Sequence, residues 1–367
     1  MISVFGTKTN EVELKYLKEV IDTSFLGLGK VVNEFENRFK ERLNLPNFIM
    51  LDNCSNALYV ACKVLDLPKG SEIIVPSFTW LSCAHSIIMA GHKPIFCDVE
   101  LDSMNVSRET IEPLVTKKTS AIMVVHYAGL SVDMDGIMDL GLPVIEDSAH
   151  SVDSKYNDTY SGGVGTIGVY SFDGAKNLAV GEGGGLTSTD EEIFEKVKNL
   201  RYCGIKQSGF DNAKDGSNRW WEYDIHDIHM KNVPSNVDAA VGLGQLDKLD
   251  LHQNKRKQIW EYYTDEFKNT ELILPITSEH QHSYFTYCIR VKNRDNLARY
   301  LFDNDIYTTV RYHPLHMNTI YNSTDIKLFN TEQLNEESLC IPLHPNLKDS
   351  EVEYVVKKIK RWLNGKN

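Results

Sequence analysis

Five short apolar runs, FIMLDN, EIIVPSF, KPIFCDVE, SAIMVVHY and LPVIED, lie between residues 48 and 147, separated by segments of helical period such as Ser55–Asp66 and Trp80–Ala90. Each run is too short for a helix, rich in β-branched or aromatic residues, and stopped by Asp, Asn, Pro or Ser, which marks it as a strand. Strands that alternate with helices need crossover connections, so they form a mostly parallel central sheet covered by helices on both faces. The fold class is therefore α/β, and polar residues just beyond the carboxyl ends of the strands are where chemistry is expected.

Amphipathic helical stretches at about Glu11–Ile21 and Val31–Leu43 precede the first run. After Gly162 comes a glycine-rich β stretch, then a helix near Glu191–Leu200 and one long helical pattern from about Val237 through Phe267. The remainder (SYFTYCIRV, a helix near Asp295–Asn304, YTTVRY, and Glu351–Leu363) reads as a compact α+β unit. With 367 residues to distribute, a large domain over 1–245 and a smaller C-terminal domain over 246–367 are expected.

The charge balance of 51 acidic against 39 basic residues, a net −12, argues against DNA, RNA or anionic membrane as the main partner. No apolar stretch approaches the ~20 residues of a membrane span, and the start MISVFGTKTNEVELKY has no apolar core followed by a cleavage site, so a cytoplasmic protein is expected. The seven cysteines are scattered, odd in number and never in a CxxC pair, which predicts reduced thiols without a disulfide framework or a cysteine metal cluster.

Gly163-Val-Gly165-Thr-Ile-Gly168 matches GxGxxG, yet the strand-like IGVYSF follows it where a dinucleotide site needs a helix, so these glycines are read as allowing close backbone approach. The pairs His226/His229 and His313/His316 have zinc-like spacing but no convincing helix and no obvious third ligand, and no metal is expected. More telling are four features at strand ends. Asn53-Cys54-Ser55-Asn56-Ala57 lies between a strand and a helix, where backbone N–H groups and the Ser55 hydroxyl can hold a phosphate or simply cap the helix. Trp80 is a core aromatic or a platform for stacking a ring. Asp147 ends an apolar strand, where a buried carboxylate needs a cationic partner such as a protonated heteroaromatic nitrogen. Lys176, in SFDGAKN, sits in an apolar, glycine-rich, mostly uncharged stretch that suits a desolvated Schiff-base amine, or else it is a surface lysine on a turn. Alone each feature has an ordinary structural explanation; together they are the phosphate anchor, ring platform, pyridinium partner and amine that pyridoxal phosphate requires.

With these parts in this order the sequence resembles the fold-type I pyridoxal-phosphate enzymes, and specifically the sugar-nucleotide aminotransferases of the DegT/DnrJ/EryC1/StrS family. The resemblance covers nearly the whole chain, through LGLGKVVNEFENRF, PSFTW, HYAGLSVDMDGI, IEDSAHS, SFDGAKNLAVGEGGG, SNVDAAVGLGQLDKLD, RYHPLHMNTIY and LCIPLHPNLKDSEVEYVV. It implies that Lys176 is the Schiff-base lysine and proton shuttle, that Asp147 pairs with the pyridine N–H, that His150 sits near the phenolic oxygen, and that Trp80 stacks on the ring. Ser171 and the backbone at Ser55 and Asn56 would hold the phosphate on one subunit, and Lys231 or Asn232 would reach the same phosphate across a homodimer with shared sites. His313 and its neighbours in RYHPLH would line the sugar side. Cys54-Ser55 and Asp173-Gly174 depart from the family's usual pairs in ways the site tolerates, and HMKNVPSNVDAA departs more strongly where the cross-subunit contact is expected.

The activity implied is transfer of an amino group from an amino acid, L-glutamate by expectation, to a nucleotide-linked keto-6-deoxy sugar, with pyridoxamine phosphate as the intermediate form of the cofactor and amino-sugar synthesis for surface polysaccharides as the usual setting. Position C4 is favoured over C3 by the likeness of HYAG to the C4 branch. The alternatives are C3 amination, a dehydratase or elimination enzyme on the same fold, and a non-catalytic regulator. A dehydratase branch that replaces the lysine by histidine is excluded by Lys176, and no DNA-binding extension or basic patch is apparent.

Overall fold

The computed structural model describes residues 1–206, 209–216 and 218–365. Its strands are β1 (Ile49–Leu51), β2 (Glu72–Pro76), β3 (Lys93–Cys97), β4 (Thr119–Val125), β5 (Val144–Asp147), the short pair β6 (Lys155–Tyr156) and β7 (Thr159–Tyr160), β8 (Ile167–Ser171), β9 (Gly184–Ser188), β10 (Tyr287–Arg290) and β11 (Ser338–Ile341). The helices are α1 (Glu11–Thr23), α2 (Lys30–Arg42), α3 (Cys54–Val64), α4 (Ser82–Met89), α5 (Arg108–Ile111), α6 (Asp135–Met138), α7 (Glu191–Arg201), α8 (Gly209–Lys214), α9 (Asn236–Asp247), α10 (Leu249–Phe267), α11 (Arg294–Phe302), α12 (Phe329–Glu337) and α13 (Asp349–Leu363).

The five apolar runs become β1 to β5, and the main sheet has seven strands in the order β1-β9-β8-β5-β4-β2-β3. β2, β3, β4, β5 and β8 pair in parallel, while β9 lies antiparallel to both β8 and β1. Crossover helices cover both faces, so the strands are apolar throughout: Ile73, Val75, Ala121, Met123 and Ile145 pack under α3 and α4, and Ile74, Ile122, Val124 and Val144 face the opposite layer. Beside β1 and β8, α2 contributes Phe35 and Phe39 to an aromatic cluster with Phe48, Tyr170 and Phe172, whose ring centres lie 4.4 to 6.5 Å apart. Truncating one of these buried rings to alanine costs about 3–5 kcal/mol.

The periodicity between 237 and 267 predicts one helix, whereas the structure breaks it at Lys248, with φ −107° and ψ 5° between α9 and α10. The cause is tertiary. The Lys248 ammonium turns to the buried Glu13 carboxylate of α1 at 2.5 Å, which ties the end of α9 to the N-terminal helix. From there α10 packs on the two-stranded β10–β11 sheet, α11 and α13 around Trp260, Tyr263, Phe267 and Tyr287. The first residues touch both parts: Ile2 bridges to Ile306 and the Val4 carbonyl accepts from the Leu343 N–H, while the Val4 side chain packs with Ile74 and Ile122. All seven cysteines are free thiols. Among the described residues no helix is long and apolar enough to cross a membrane.

Candidate active site

The carboxyl ends of β1, β5 and β8 open onto a cavity of about 690 Å³, a size that suits a cofactor or drug-sized ligand. Ser55, Trp80, Asp147, His150, Ser171 and Lys176 all line it. Ser55 follows β1 in the first turn of α3, where Asn53 caps the helix by accepting the Asn56 N–H at 2.8 Å. Asn53 is the cap, and the Ser55 hydroxyl lines the cavity 2.7 Å from that of Ser82 at the start of α4. Asn56 itself turns away, with its side-chain amide on Asp52 and its backbone N–H given to the cap.

Strand β5 ends in two carboxylates whose side chains alternate across the strand. Asp147 points to the cavity and is 4 % exposed, with one oxygen accepting the Ala149 N–H at 3.0 Å and the other accepting the Cys83 thiol at 3.1 Å. Burial and the Asp147 charge push the Cys83 thiol well above its ordinary value, so it remains a donor. Glu146 points the other way and is fully buried against His126 at 2.9 Å. His126 Nδ1 accepts the Val132 N–H at 3.0 Å, so the ring proton resides on Nε2 and faces the carboxylate. The other donors to Glu146 are the backbone N–H groups of Gly162, Val164 and Gly165. Burial alone would raise its pKa; these donors hold the Glu146 carboxyl below the usual range. The GxGxxG string is thus a nest around a protein carboxylate, and a Cβ on Gly168 would lie 1.9 Å from the Gly162 carbonyl oxygen.

Lys176 sits in the loop that carries the chain from β8 to β9. The Asp173 side chain accepts the Ala175 N–H at 2.9 Å and its carbonyl accepts the Lys176 N–H at 2.9 Å, which closes a tight turn. Asn177 anchors the far side by donating to the Ser283 carbonyl at 2.6 Å. The loop returns through Gly183 and Gly184, and a side chain at Gly184 would meet the Cys54 nitrogen at 2.5 Å, so glycine lets β9 run against the start of α3. The half-buried Lys176 ammonium lies 4.9 Å from the centre of the Phe285 ring.

His150 stacks on the same Phe285 ring, centres 4.1 Å apart and planes at 18°. Its Nε2 is 3.0 Å from the Tyr312 hydroxyl, while its buried Nδ1 has no partner among the described residues. Burial, then the charges of Lys176 and Arg311, push this imidazole well below its ordinary value, so it is neutral. Trp80 is half-exposed at the mouth, 5.4 Å from the Tyr312 ring.

Three expected residues lie elsewhere on this chain. His313 is exposed, with Nδ1 3.2 Å from the Asn335 amide oxygen, and the residues of RYHPLH that line the cavity are Arg311 and Tyr312. Lys231 lies over the Tyr202 ring at 5.5 Å, and the buried Asn232 approaches Asn56 behind α3 at 3.5 Å. Of the other histidines with metal-like spacing, His229 stacks on Tyr59 and His316 is buried on the Ser77 hydroxyl at 2.7 Å. Arg311 and Tyr312 are the neighbours of His313 in RYHPLH that line the cavity, whereas Phe285 beside Lys176 carried no signal separable from a core aromatic. HYAG shows how they arrive: Ala128 and Gly129 adopt positive φ, their carbonyls accept the N–H groups of Phe285 and Ser283, and the Tyr127 hydroxyl donates to the Arg311 carbonyl.

The DegT/DnrJ/EryC1/StrS aminotransferase family matches residues 7–360. The chain belongs to this family. It is 34% identical over 370 residues to the dTDP-4-dehydro-2,3,6-trideoxy-D-glucose 4-aminotransferase of Saccharopolyspora spinosa, covering 98% of this chain and 94% of that one. The solved aminotransferase TlmJ of Streptoalloteichus hindustanus superimposes with a TM-score of 0.94 at 32% identity over the full length of both. Spr1654 of Streptococcus pneumoniae in its PMP form shares the fold at a TM-score of 0.93 and 24% identity, with both chains fully covered. The protein is therefore a pyridoxal-phosphate-dependent sugar aminotransferase of fold type I. Its donor set fits the cofactor on three independent points: an unpartnered neutral imidazole nitrogen at His150, a buried carboxylate at Asp147, and serine hydroxyls beside a helix start.

Proposed function

We propose that the enzyme moves the amino group of L-glutamate to C4 of a nucleotide-linked keto-6-deoxy sugar, forming a 4-amino-4,6-dideoxy sugar. The observation that carries this reading is the convergence of Lys176, Asp147, neutral His150 and the Ser55/Ser171 cup on one cavity. The choice of C4 draws support from HYAG and from the relative whose name specifies a 4-aminotransferase.

Bound pyridoxal phosphate supplies an electron sink for the carbanion that forms when the donor loses its α-proton. Lys176 would hold the cofactor through Nζ, and the same amine would take the donor's α-proton and keep it within the cavity. In the second half-reaction the same amine carries a proton back to the sugar carbon. Asp147 would pair with the pyridine N–H, His150 would face the phenolic oxygen with a neutral ring nitrogen, and Trp80 would cover a ring face. Ser55 and Ser171 hold the phosphate, and Lys231 or Asn232 of the partner subunit completes its shell, so an obligate homodimer with two shared sites is expected.

The test is the absorption spectrum of the purified enzyme before and after glutamate, with Lys176→Ala alongside. A yellow band that bleaches with glutamate in the wild type alone supports the first half-reaction, and proton NMR of the amino-sugar product then reads the position of the new amine. Absence of any band after adding pyridoxal phosphate sinks the proposal.

A further inference from the structure

The proposed reaction asks two things of Asp147: a fixed direction, so that the carboxylate faces one ring nitrogen, and an undiminished charge, so that this nitrogen keeps its proton. The terminal torsion of an aspartate is soft, so the direction has to come from neighbours. The backbone supplies one of them, the Ala149 N–H on one oxygen at 3.0 Å. The other is a side chain from a different element, the Cys83 thiol on the second oxygen at 3.1 Å.

That thiol is itself held on several sides. Cys83 lies in the first turn of α4 and is fully buried, with its N–H donating to the Trp80 carbonyl at 3.1 Å and its carbonyl accepting the Ser86 hydroxyl at 2.9 Å. The Thr79 hydroxyl, on the cavity wall, lies 3.4 Å from the sulfur. A thiol has one proton and an ionised carboxylate can only accept, so the sulfur gives its proton to Asp147 and receives that of Thr79. The hydrogen bonds therefore run one way, from Thr79 through Cys83 to Asp147. Ser82, the preceding residue, reaches the Ser55 hydroxyl at 2.7 Å, so a single helix start supports both the phosphate cup and the carboxylate.

The choice of sulfur has a consequence. A hydroxyl in this place would also hold the carboxylate, but as the stronger donor it would draw off more of the charge. A thiol is a weak donor, so it sets the direction and leaves the charge to the cation that the cavity receives.

We propose that Cys83 positions Asp147: through the Thr79–Cys83–Asp147 chain its thiol fixes the plane of the carboxylate against the pyridine N–H of the cofactor without neutralising it. Cys83 is not among the residues that line the cavity and acts only through Asp147. This inference rests on the pairing of Asp147 with the pyridine N–H proposed above.

The test uses the holoenzyme and two variants that separate the hydrogen bond from the volume of the side chain. Cys83→Ser keeps a donor in a smaller side chain, and Cys83→Val fills the space without one. Two readouts stand apart from turnover: the Kd of pyridoxal phosphate, from absorbance titration of the apoenzyme, and the ¹⁵N NMR signal of cofactor labelled at its ring nitrogen, which reports whether that nitrogen keeps its proton. In Cys83→Val the Kd is expected to rise about 10-fold and the signal to move toward the unprotonated position, while the glutamate half-reaction slows about 10-fold at unchanged glutamate KM. Cys83→Ser should stay within about threefold of the wild type in Kd and rate, with the signal at the protonated position. If Cys83→Val does not fold, Cys83→Ala, which also lacks the donor, takes its place beside Cys83→Ser. Wild-type Kd and signal in the variant without a donor would overturn the proposal, as would equal losses in both variants, which packing alone produces. Asp147→Asn tells the two readings apart. A signal unmoved in that variant overturns the pairing with the pyridine nitrogen and this inference with it, whereas a signal that moves there but not in Cys83→Val overturns this inference alone.

Discussion

The strand-end wall of the cavity and its C-terminal wall reach the same space by different routes. On the strand-end wall each polar group is fixed by near neighbours: Asp147 by the Ala149 N–H and Cys83, Ser55 by Ser82, and the Lys176 turn by Asp173. On the C-terminal wall Phe285, Arg311 and Tyr312 are held by ring stacking, two side-chain hydrogen bonds that both meet at the Tyr312 hydroxyl, and backbone contacts to the Ala128–Gly129 turn. On the proposed function, the first wall carries the groups that would meet reacting atoms and the second presents the surfaces that would meet the substrate.

If that contrast holds, substitutions on the first wall should destroy turnover and those on the second should change KM. The largest effect is expected for Lys176→Ala, which on the proposed function removes both the attachment point and the proton carrier: a single-turnover assay with glutamate should fall by at least about 10⁴-fold with the cavity otherwise intact. Asp147→Asn keeps the shape and removes the charge, and kcat should fall on the order of 10²- to 10³-fold without a matching rise in KM. An equal fall for a C-terminal residue such as Tyr312→Phe would break the comparison.

Between these lies an effect on stability that separates scaffold from site. Burial pushes the imidazole of His252 down to about 4, that of His282 to about 3 and that of His344 to about 4. The unfolded chain protonates these rings near 6.5 while the folded chain keeps them neutral, so the stability present above that pH is lost as pH falls toward 4. Each contributes roughly 1.4 kcal/mol per pH unit within that window, and Tm from calorimetry should drop steeply between pH 6.5 and 4. All three histidines lie outside the strand-end wall, and replacing His282 by Phe should flatten the slope without altering the absorption spectrum. The smallest effect is expected for Tyr312→Phe, which removes the hydroxyl partner of His150 and should raise the substrate KM a few-fold with kcat nearly kept.

The alternation of short apolar runs with helical segments was sufficient to read the parallel sheet, because strands buried on both faces leave an apolar signature that needs no partner to be seen. Ser55, Asp147, Ser171 and Lys176 were legible for the same reason: each lies within a few residues of a strand end, so its position in the cavity follows from local chain order. What escaped was set by contacts between distant segments. The break at Lys248 depends on Glu13, more than 200 residues earlier in the chain. His313 was favoured for its chemistry, yet its backbone turns it to solvent and brings Arg311 and Tyr312 inward.

The sequence by itself determined the order of elements, the strand-end chemistry and the family, because periodicity, turn residues and linear motifs act over short stretches of chain. Only the tertiary structure decided which aromatic backs Lys176, that the glycine string encloses Glu146, and that Arg311 and Tyr312 rather than His313 line the cavity. Those are facts about segments 19 to 184 residues apart meeting in low dielectric, as Glu146 meets Gly165 and Tyr127 meets the Arg311 carbonyl. No local pattern encodes such meetings, since burial and close packing select them only after the chain has closed.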